Sequence, residues 1–269
     1  MNKSIGVLGC GWLGFPLAKE LVNLGYEVHG TTTSASKMEL LKHSGIEPYQ
    51  IALHSDSIQG KIEDFLNKVK ILIINVPPRL RKSNAESYVE KMKRLHSKLM
   101  GSSVENIVFA SSTSVYGNIT GEITEDSTPQ PFTESGKQLL VCENLFKEDQ
   151  KFKTTIIRFG GLIGPTRHPV TMLSNKKGLT NGNDPVNLIH LDDCIHIIHT
   201  IIKNEYWDEI FNAAYPLHPT KKEYYTQEAI KRNLPIPGYE ATSSKSVRGI
   251  VKSRNFINKS HKFFTSIVS

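Results

Sequence analysis

A glycine-rich turn at the end of the first strand constrains this chain more than any other feature. The apolar run Ser4-Ile5-Gly6-Val7-Leu8 leads straight into Gly9-Cys10-Gly11-Trp12-Leu13-Gly14. Leu13, Leu17, Leu21 and Leu24 then recur at helical spacing. Between a strand and a helix, Gly-x-Gly-x-x-Gly has a physical logic. Gly9 permits a tight turn, Gly11 leaves the backbone open to a pyrophosphate, and Gly14 lets the helix approach the strand. The helix start, at Trp12, Leu13 and Gly14, then presents N–H groups and a partial positive charge to phosphate oxygens. Without that setting the motif is often only a tight turn. With it, the expectation is a dinucleotide site.

The chain of 269 residues is long enough for a full α/β core. Hydrophobic residues make up 38% and charged residues 22%, the balance of an ordinary globular domain. No apolar run is long enough to span a bilayer, and no signal-peptide pattern precedes the first strand, so no membrane partner is expected and the reading points to the cytosol. Cys10, Cys142 and Cys194 are scattered without metal-ligand spacing, so reduced thiols and no metal are expected. The net charge of +7 raises the question of nucleic acid. No helix-turn-helix, RNA-recognition or zinc pattern accompanies it, and no nucleic-acid partner is expected. An anionic small-molecule substrate and plain solvated lysine faces both fit the charge. The oligomeric state stays open.

Strand-like runs alternate with helix-like segments, which predicts a doubly wound parallel sheet with helices on both faces. The expected strands are Ile5–Gly9, Glu27–Thr32, Tyr49–Leu53, Ile71–Val76, Asn106–Ala110 and Thr154–Phe159, with Glu209–Ala213 returning to the sheet. Tyr88, Met92, Leu95 and Leu99 recur at helical spacing and read as core packing. From Gly160 onward the alternation fades and prolines break the chain into short elements. The expected organisation is a Rossmann-type α/β domain over residues 1–164, with 187–214 returning to it. Residues 165–186 and 215–269 would form a smaller, substrate-side C-terminal lobe.

Ser111-Ser112-Thr113-Ser114-Val115-Tyr116-Gly117 resembles the extended short-chain dehydrogenase/reductase superfamily, which includes the nucleotide-sugar epimerases and dehydratases. Two more stretches resemble it: Arg158-Phe159-Gly160-Gly161-Leu162-Ile163-Gly164-Pro165, and Asn187-Leu188-Ile189-His190-Leu191-Asp192-Asp193. The likeness runs to about Ala214 and weakens beyond. It implies the Rossmann fold and a nicotinamide dinucleotide. It also implies that Ser112 occupies the catalytic Ser/Thr position, hydrogen-bonding a substrate carbonyl or hydroxyl; a serine capping a strand end is the other reading. Tyr116 lines the substrate side in such proteins and is not their proton donor.

One departure from the family matters most. Its general acid/base is a Tyr-x-x-x-Lys pair, in which the lysine lowers the tyrosine pKa. Registering Gly136 and Glu143 of Ser135-Gly136-Lys137-Gln138-Leu139-Leu140-Val141-Cys142-Glu143 against that pattern puts Ser135 at the tyrosine position and Leu139 at the lysine position. Lys137, two residues from Leu139, points to another helix face. The chain therefore reads as an atypical member without the usual relay. Tyr116, or a residue of the later lobe such as His168 or His190, is a candidate substitute. His190 also reads as a structural hydrogen-bonding residue beside Asp192 and Asp193.

Dinucleotide choice turns on the end of the second strand. An acidic residue ~20 positions past the glycines binds the ribose hydroxyls in NAD-preferring folds. The segment Thr31-Thr32-Thr33-Ser34-Ala35-Ser36-Lys37 has no carboxylate. Thr32, Thr33 and Ser34 can donate hydrogen bonds and Lys37 supplies charge, so NADP is expected over NAD. Ser34 or Ser36 as a helix N-cap is the alternative, and both readings can hold together. Asp56 reads as an adenine neighbour or a surface aspartate. Asn75-Val76-Pro77-Pro78 would pass beneath the cofactor. Arg79, Arg81 and Lys82 would meet an anionic substrate or face solvent, as would Arg167, Arg248, Lys252 and Arg254. Two functions compete. One is an epimerase/dehydratase-like oxidoreductase acting on a small carbonyl or sugar-nucleotide substrate, with Ser112 and Tyr116 orienting it. The other is a non-catalytic NAD(P)-binding sensor or regulatory module.

Overall fold

The structure is a computed structural model that describes residues 3–80, 86–240 and 248–268. Seven parallel strands form its central sheet: β1 (Ser4–Leu8), β2 (Glu27–Thr32), β3 (Glu47–Gln50), β4 (Ile71–Ile74), β5 (Asn106–Ser112), β6 (Lys153–Phe159) and β7 (Ile210–Ala213). Their spatial order is β3-β2-β1-β4-β5-β6-β7. The strand order reverses between β1 and β4, and a doubly wound sheet binds its ligand at the carboxyl ends of its strands beside such a reversal.

Alternating side chains build a core on each face, the period-two geometry of a strand buried on both sides. In β4, Ile71 and Ile73 join α1 (Gly14–Asn23) and α7 (Leu191–Asn204) on one face. Leu72 and Ile74 join α3 (Ile62–Leu66), α4 (Tyr88–Leu99) and α5 (Glu134–Lys147) on the other. The helical spacing read in the sequence is the buried face of α4: Tyr88, Met92, Leu95 and Leu99 have no exposed surface. Ser87 starts that helix by accepting from the Glu90 N–H. A third apolar cluster joins α6 (Val170–Leu173), α8 (Lys221–Lys231) and Ile267. Thr220 and Glu223 close a reciprocal cap at the start of α8.

Three expected strands shift by two residues or more, the fourth ending at Ile74 and not at Val76. The third was read as Tyr49–Leu53 and lies at Glu47–Gln50. The apolar run misleads because Ala52–Leu53 leaves the sheet to pair with Ile58–Gln59 in a small antiparallel hairpin. The fifth runs two residues further than expected, to Ser112, and pairs with Phe159 there. No helix among the described residues is long and apolar enough to cross a membrane.

Candidate functional site

The glycine turn is built as its three glycines require. Gly9 has φ +106°, a conformation open to glycine, and a Cβ there would lie 2.9 Å from the Asn75 carbonyl oxygen. A Cβ on Gly14 would lie 2.1 Å from the Gly9 carbonyl oxygen, so the helix approaches the turn more closely than any side chain allows. Gly11 is different: a Cβ there meets nothing within 4 Å. Its glycine is not needed for packing, which leaves open space above the backbone where a pyrophosphate would lie. The first turn of α1 carries no acidic residue. Pro16 sits in that turn, where its missing N–H breaks no helical bond. The donor set and the open cradle fit a dinucleotide diphosphate.

Neighbouring strands hold the turn. The Gly9 N–H donates to Thr31 Oγ1 at 2.9 Å and the Cys10 N–H to the Thr31 carbonyl at 2.8 Å. Asn75 Nδ2 donates to the Gly9 carbonyl at 3.2 Å. Val76 is fixed through its carbonyl, which accepts from the Tyr88 hydroxyl at 2.9 Å, and Pro77 is exposed. Thr31 had no assigned role in the sequence; only the β1–β2 register reveals it. Leu13 is a core residue. Trp12 reaches the opposite way. Its indole N–H donates to Thr166 Oγ1 at 3.2 Å, and the Arg167 guanidinium lies 5.1 Å from its ring centre. A Cβ on Gly164 would be 2.9 Å from the indole. The chain after β6 thus rests directly on the glycine turn. Burial pushes the Cys10 thiol up to about 12, so it stays protonated.

At the end of β2 the Ser34 N–H donates to Thr32 Oγ1 at 3.2 Å, and Ser34 and Ser36 share a hydroxyl bond of 2.8 Å. Neither serine caps a helix with its side chain. Thr33 and Lys37 are exposed, and Asp56 is an exposed residue bonded to Ser57. Arg79 is exposed with φ +53°; Arg81 and Lys82 lie outside the described residues.

Ser112 ends β5, and its Oγ accepts from the Ser114 N–H at 3.2 Å, capping the turn Thr113–Tyr116. The capping reading of this serine is therefore realised, and its own O–H proton stays available to another acceptor. Helix α5 starts against this turn: a Cβ on Gly136 would be 2.6 Å from the Ser114 carbonyl oxygen. That contact brings the half-buried Ser135 beside it, while Lys137 is exposed. Leu139 is 3% exposed and packs in the same core cluster as Val115 and Tyr116.

The sequence expects Tyr116 on the substrate side. It is 1% exposed and does not face open space. Its hydroxyl donates to Asn212 Oδ1 at 2.8 Å and accepts from Arg158 Nη1 at 2.9 Å. Burial raises its pKa, opposed by Arg158. The cause lies in β6 and β7, which place Arg158 against the ring and Asn212 at its hydroxyl. Arg158 also grips Glu143 of α5, with Nη2 to Oε2 at 2.7 Å. Glu125 accepts the Asn212 N–H at 2.9 Å, and burial raises its carboxyl pKa. Glu143, Arg158, Tyr116, Asn212 and Glu125 form one interior chain of polar contacts that local sequence pattern could not announce.

The candidate substitutes also have structural partners. The His190 ring accepts from the Asp192 N–H at 3.3 Å and caps α7. Asp193 receives the Phe264 and Thr265 N–H groups, which tethers the C-terminal segment. His168 is buried, with Nε2 3.0 Å from the Tyr224 hydroxyl, and burial lowers its pKa to about 4. His218, unremarked in the sequence, bonds the Val186 carbonyl through Nδ1 at 3.0 Å. No group of His, Cys, Asp and Glu among the described residues could hold a metal ion.

A sheet in this order, with a cradle at its first βα turn, defines a Rossmann-type dinucleotide-binding protein. The NAD-dependent epimerase/dehydratase family model matches residues 5–214, and the chain belongs to that family. Protein YeeZ of Escherichia coli (strain K12) is 30% identical over 258 residues, covering 96% of this chain and 94% of that protein. UDP-glucuronic acid 4-epimerase from Bacillus cereus, solved with NAD, has a TM-score of 0.81 at 15% identity, over 98% of this chain and 93% of that one. MoeE5, solved with UDP-glucuronic acid and NAD, has a TM-score of 0.79 at 19% identity, over 98% and 95% of the two chains. At these identities the two structures share the fold.

Proposed function

We propose that the chain binds a nicotinamide dinucleotide, NADP in preference to NAD, and acts as an oxidoreductase of the epimerase/dehydratase type without a Tyr–Lys relay. The open cradle at Gly11 carries the reading, because packing alone gives no reason for a glycine there. Trp12, Leu13 and Gly14 would hold the diphosphate through their N–H groups. Thr32, Thr33, Ser34 and Lys37 would meet the adenosine ribose, where no carboxylate repels a 2′-phosphate. Asn75, Val76 and Pro77 would support the cofactor from below. When bound, the nicotinamide supplies hydride exchange.

The substrate would be a small anionic carbonyl compound or sugar nucleotide, as the UDP-glucuronic acid and NAD held by MoeE5 suggest. Ser112 would orient it by donating a hydrogen bond to its reacting oxygen. Ser135 and Leu139 offer no group that titrates near neutrality, so the proton would be exchanged with solvent. A second reading, an NAD(P)-binding regulatory module, is favoured by the same burial of Leu139 and by the fully engaged Tyr116 hydroxyl.

The test is a fluorescence titration with NADPH and NADH at fixed salt, followed by turnover assays with UDP-glucuronic acid and UDP-glucose. Tighter NADPH binding with slow turnover supports the enzyme. Binding without turnover of any carbonyl or sugar-nucleotide substrate supports the module. A tenfold preference for NADH, about 1.4 kcal/mol, refutes the assignment of the Thr31–Ser36 loop.

A further inference from the structure

The sequence offers several cations for an anionic substrate, and their surroundings separate them. Arg254 is neutralised by Asp126, and the exposed Arg167 lies on the Trp12 ring. Lys252 differs from both. It is half-buried, and among the described residues no carboxylate lies within ion-pair distance of its ammonium. Taking a charge partly out of water without pairing it costs free energy. An anion from outside the chain would offset that cost.

The backbone of Lys252 is pinned at the carboxyl edge of the sheet. Its N–H donates to the Ile123 carbonyl at 2.8 Å, and its carbonyl accepts from Asn212 Nδ2 at 3.0 Å. Asn187 brackets the preceding stretch, donating to the Gly249 carbonyl at 3.0 Å and accepting from the Val251 N–H at 2.9 Å. Ser253 Oγ then bonds both the N–H and the carbonyl of Ala214, just past β7. The register aligns Ser112, Phe159 and Ala213 across β5, β6 and β7. At ~4.8 Å per strand spacing, the anchor of Lys252 on β7 stands roughly 10 Å from Ser112. His218, in the loop after β7, shares these surroundings. Its Nδ1–H donates to the Val186 carbonyl at 3.0 Å, which leaves Nε2 buried without a partner. Burial lowers the imidazole pKa, the Val186 bond opposes this, and the Lys252 charge lowers it further. The neutral ring supplies no countercharge to Lys252, and it reports that charge.

We propose that Lys252 is a specificity-determining residue, which binds an anionic group held several bonds from the reacting carbon of the substrate, as on a phosphorylated sugar or a nucleotide. The inference rests on the substrate side proposed above at Ser112. A compact oxo acid carries its charge next to the reacting carbon and leaves Lys252 without a partner. A phosphorylated sugar or nucleotide is long enough to bring its charge across two strand spacings.

The test is isothermal titration calorimetry of the full chain with glucose 1-phosphate, UMP and pyruvate, joined to histidine NMR. The expected result is saturable binding of at least one phosphorylated probe, tighter than that of pyruvate. Lys252→Gln should weaken it tenfold or more and Lys252→Arg by less than threefold, while Lys203→Gln, at the far end of α7, leaves it unchanged. Which phosphorylated probe binds tells a sugar phosphate from a nucleotide. In NMR, saturating probe should raise the His218 imidazole pKa in wild type and not in Lys252→Gln; a lysine with a purely structural role would not move it. The wild-type NMR measurement decides the matter if Lys252→Gln fails to fold. Pyruvate binding as tight as that of the other probes, no saturable binding, an unmoved His218, or equal affinity in a folded Lys252→Gln protein would overturn the proposal. NADPH affinity reads the cradle separately. Probe binding through Lys252 without NADPH binding refutes the proposed function alone, and NADPH binding without probe binding refutes this inference alone.

Discussion

Gly11 and Gly14 belong to one motif, yet their substitutions should separate binding from folding. A Cβ on Gly14 would lie 2.1 Å from the Gly9 carbonyl oxygen, and backbone cannot give way there cheaply. Gly14→Ala gains up to ~1 kcal/mol of helix propensity but forces α1 off β1. Overpacking of this kind costs about 1–3 kcal/mol, and here the clash is with main chain, so the upper end applies. At ~2–4 °C per kcal/mol for a chain of about this size, a net loss of about 2 kcal/mol lowers Tm by roughly 4–8 °C. Gly11→Val meets no atom within 4 Å at its Cβ, so its Tm should move by no more than ~0.5 kcal/mol equivalent. Its isopropyl group instead fills the diphosphate space. Thermal melts paired with NADPH fluorescence titration read both effects. The expected outcome is a Gly11→Val protein that melts like wild type and binds NADPH at least tenfold more weakly. A folded Gly11→Val protein with wild-type affinity refutes the cradle, and one that melts as low as Gly14→Ala refutes the packing argument.

Three further outcomes follow from the interior. Tyr116→Phe leaves Arg158 Nη1 and Asn212 Oδ1 without their shared hydroxyl; it should lower stability by ~1–3 kcal/mol in denaturant unfolding, and a ~10²–10⁴-fold loss of turnover without that destabilisation would restore Tyr116 as an acid. His168 has its pKa pushed down to about 4 from 6.5 because burial favours the neutral ring, so its contribution is present above pH 6.5 and is lost as pH falls toward 4. The unfolding free energy of wild type should therefore drop more steeply over that window than that of His168→Asn, and equal slopes would show that the ring is solvated. Ser135→Tyr alone should leave epimerisation of UDP-glucuronic acid slow, since no lysine lowers the phenol pKa; a gain of 10²-fold or more from that single change would show that another cation already serves the position.

The glycine turn was legible because everything it needs is local: a strand, three glycines and a helix within twenty residues. The sheet order was legible as a class because β-strands alternate with crossover helices. Tyr116 was not, since its partners Arg158 and Asn212 stand 42 and 96 residues away. Its aromatic ring beside a serine-rich strand end reads as a residue of the substrate side until β6 and β7 bring Arg158 and Asn212 to its hydroxyl. Thr31 was hidden for the same reason, its partner being 22 residues back in the chain. The C-terminal segment showed least, because Asp193 holds Phe264 and Thr265 through backbone N–H groups that carry no side-chain signature.

The positions that resisted reading hold α5 in place without a tyrosine at position 135 or a lysine at position 139. The Arg158–Glu143 pair ties α5 to β6, and Tyr116 with Asn212 extends the tie to β7. Removing one partner of such a buried pair costs about 3–5 kcal/mol, so this chain of contacts holds α5 in place regardless of what occupies positions 135 and 139. Leu139 then adds apolar packing to the cluster around Val115, worth roughly 1.5–3 kcal/mol for a buried leucine side chain. A lysine at that position would have to bring its ammonium out of the same core or lose its charge. The cradle at Gly11 depends on none of these contacts, because its walls are Thr31, Asn75 and the start of α1. Under the proposed function, the dinucleotide cradle and positions 135 and 139 are thus held by separate sets of contacts.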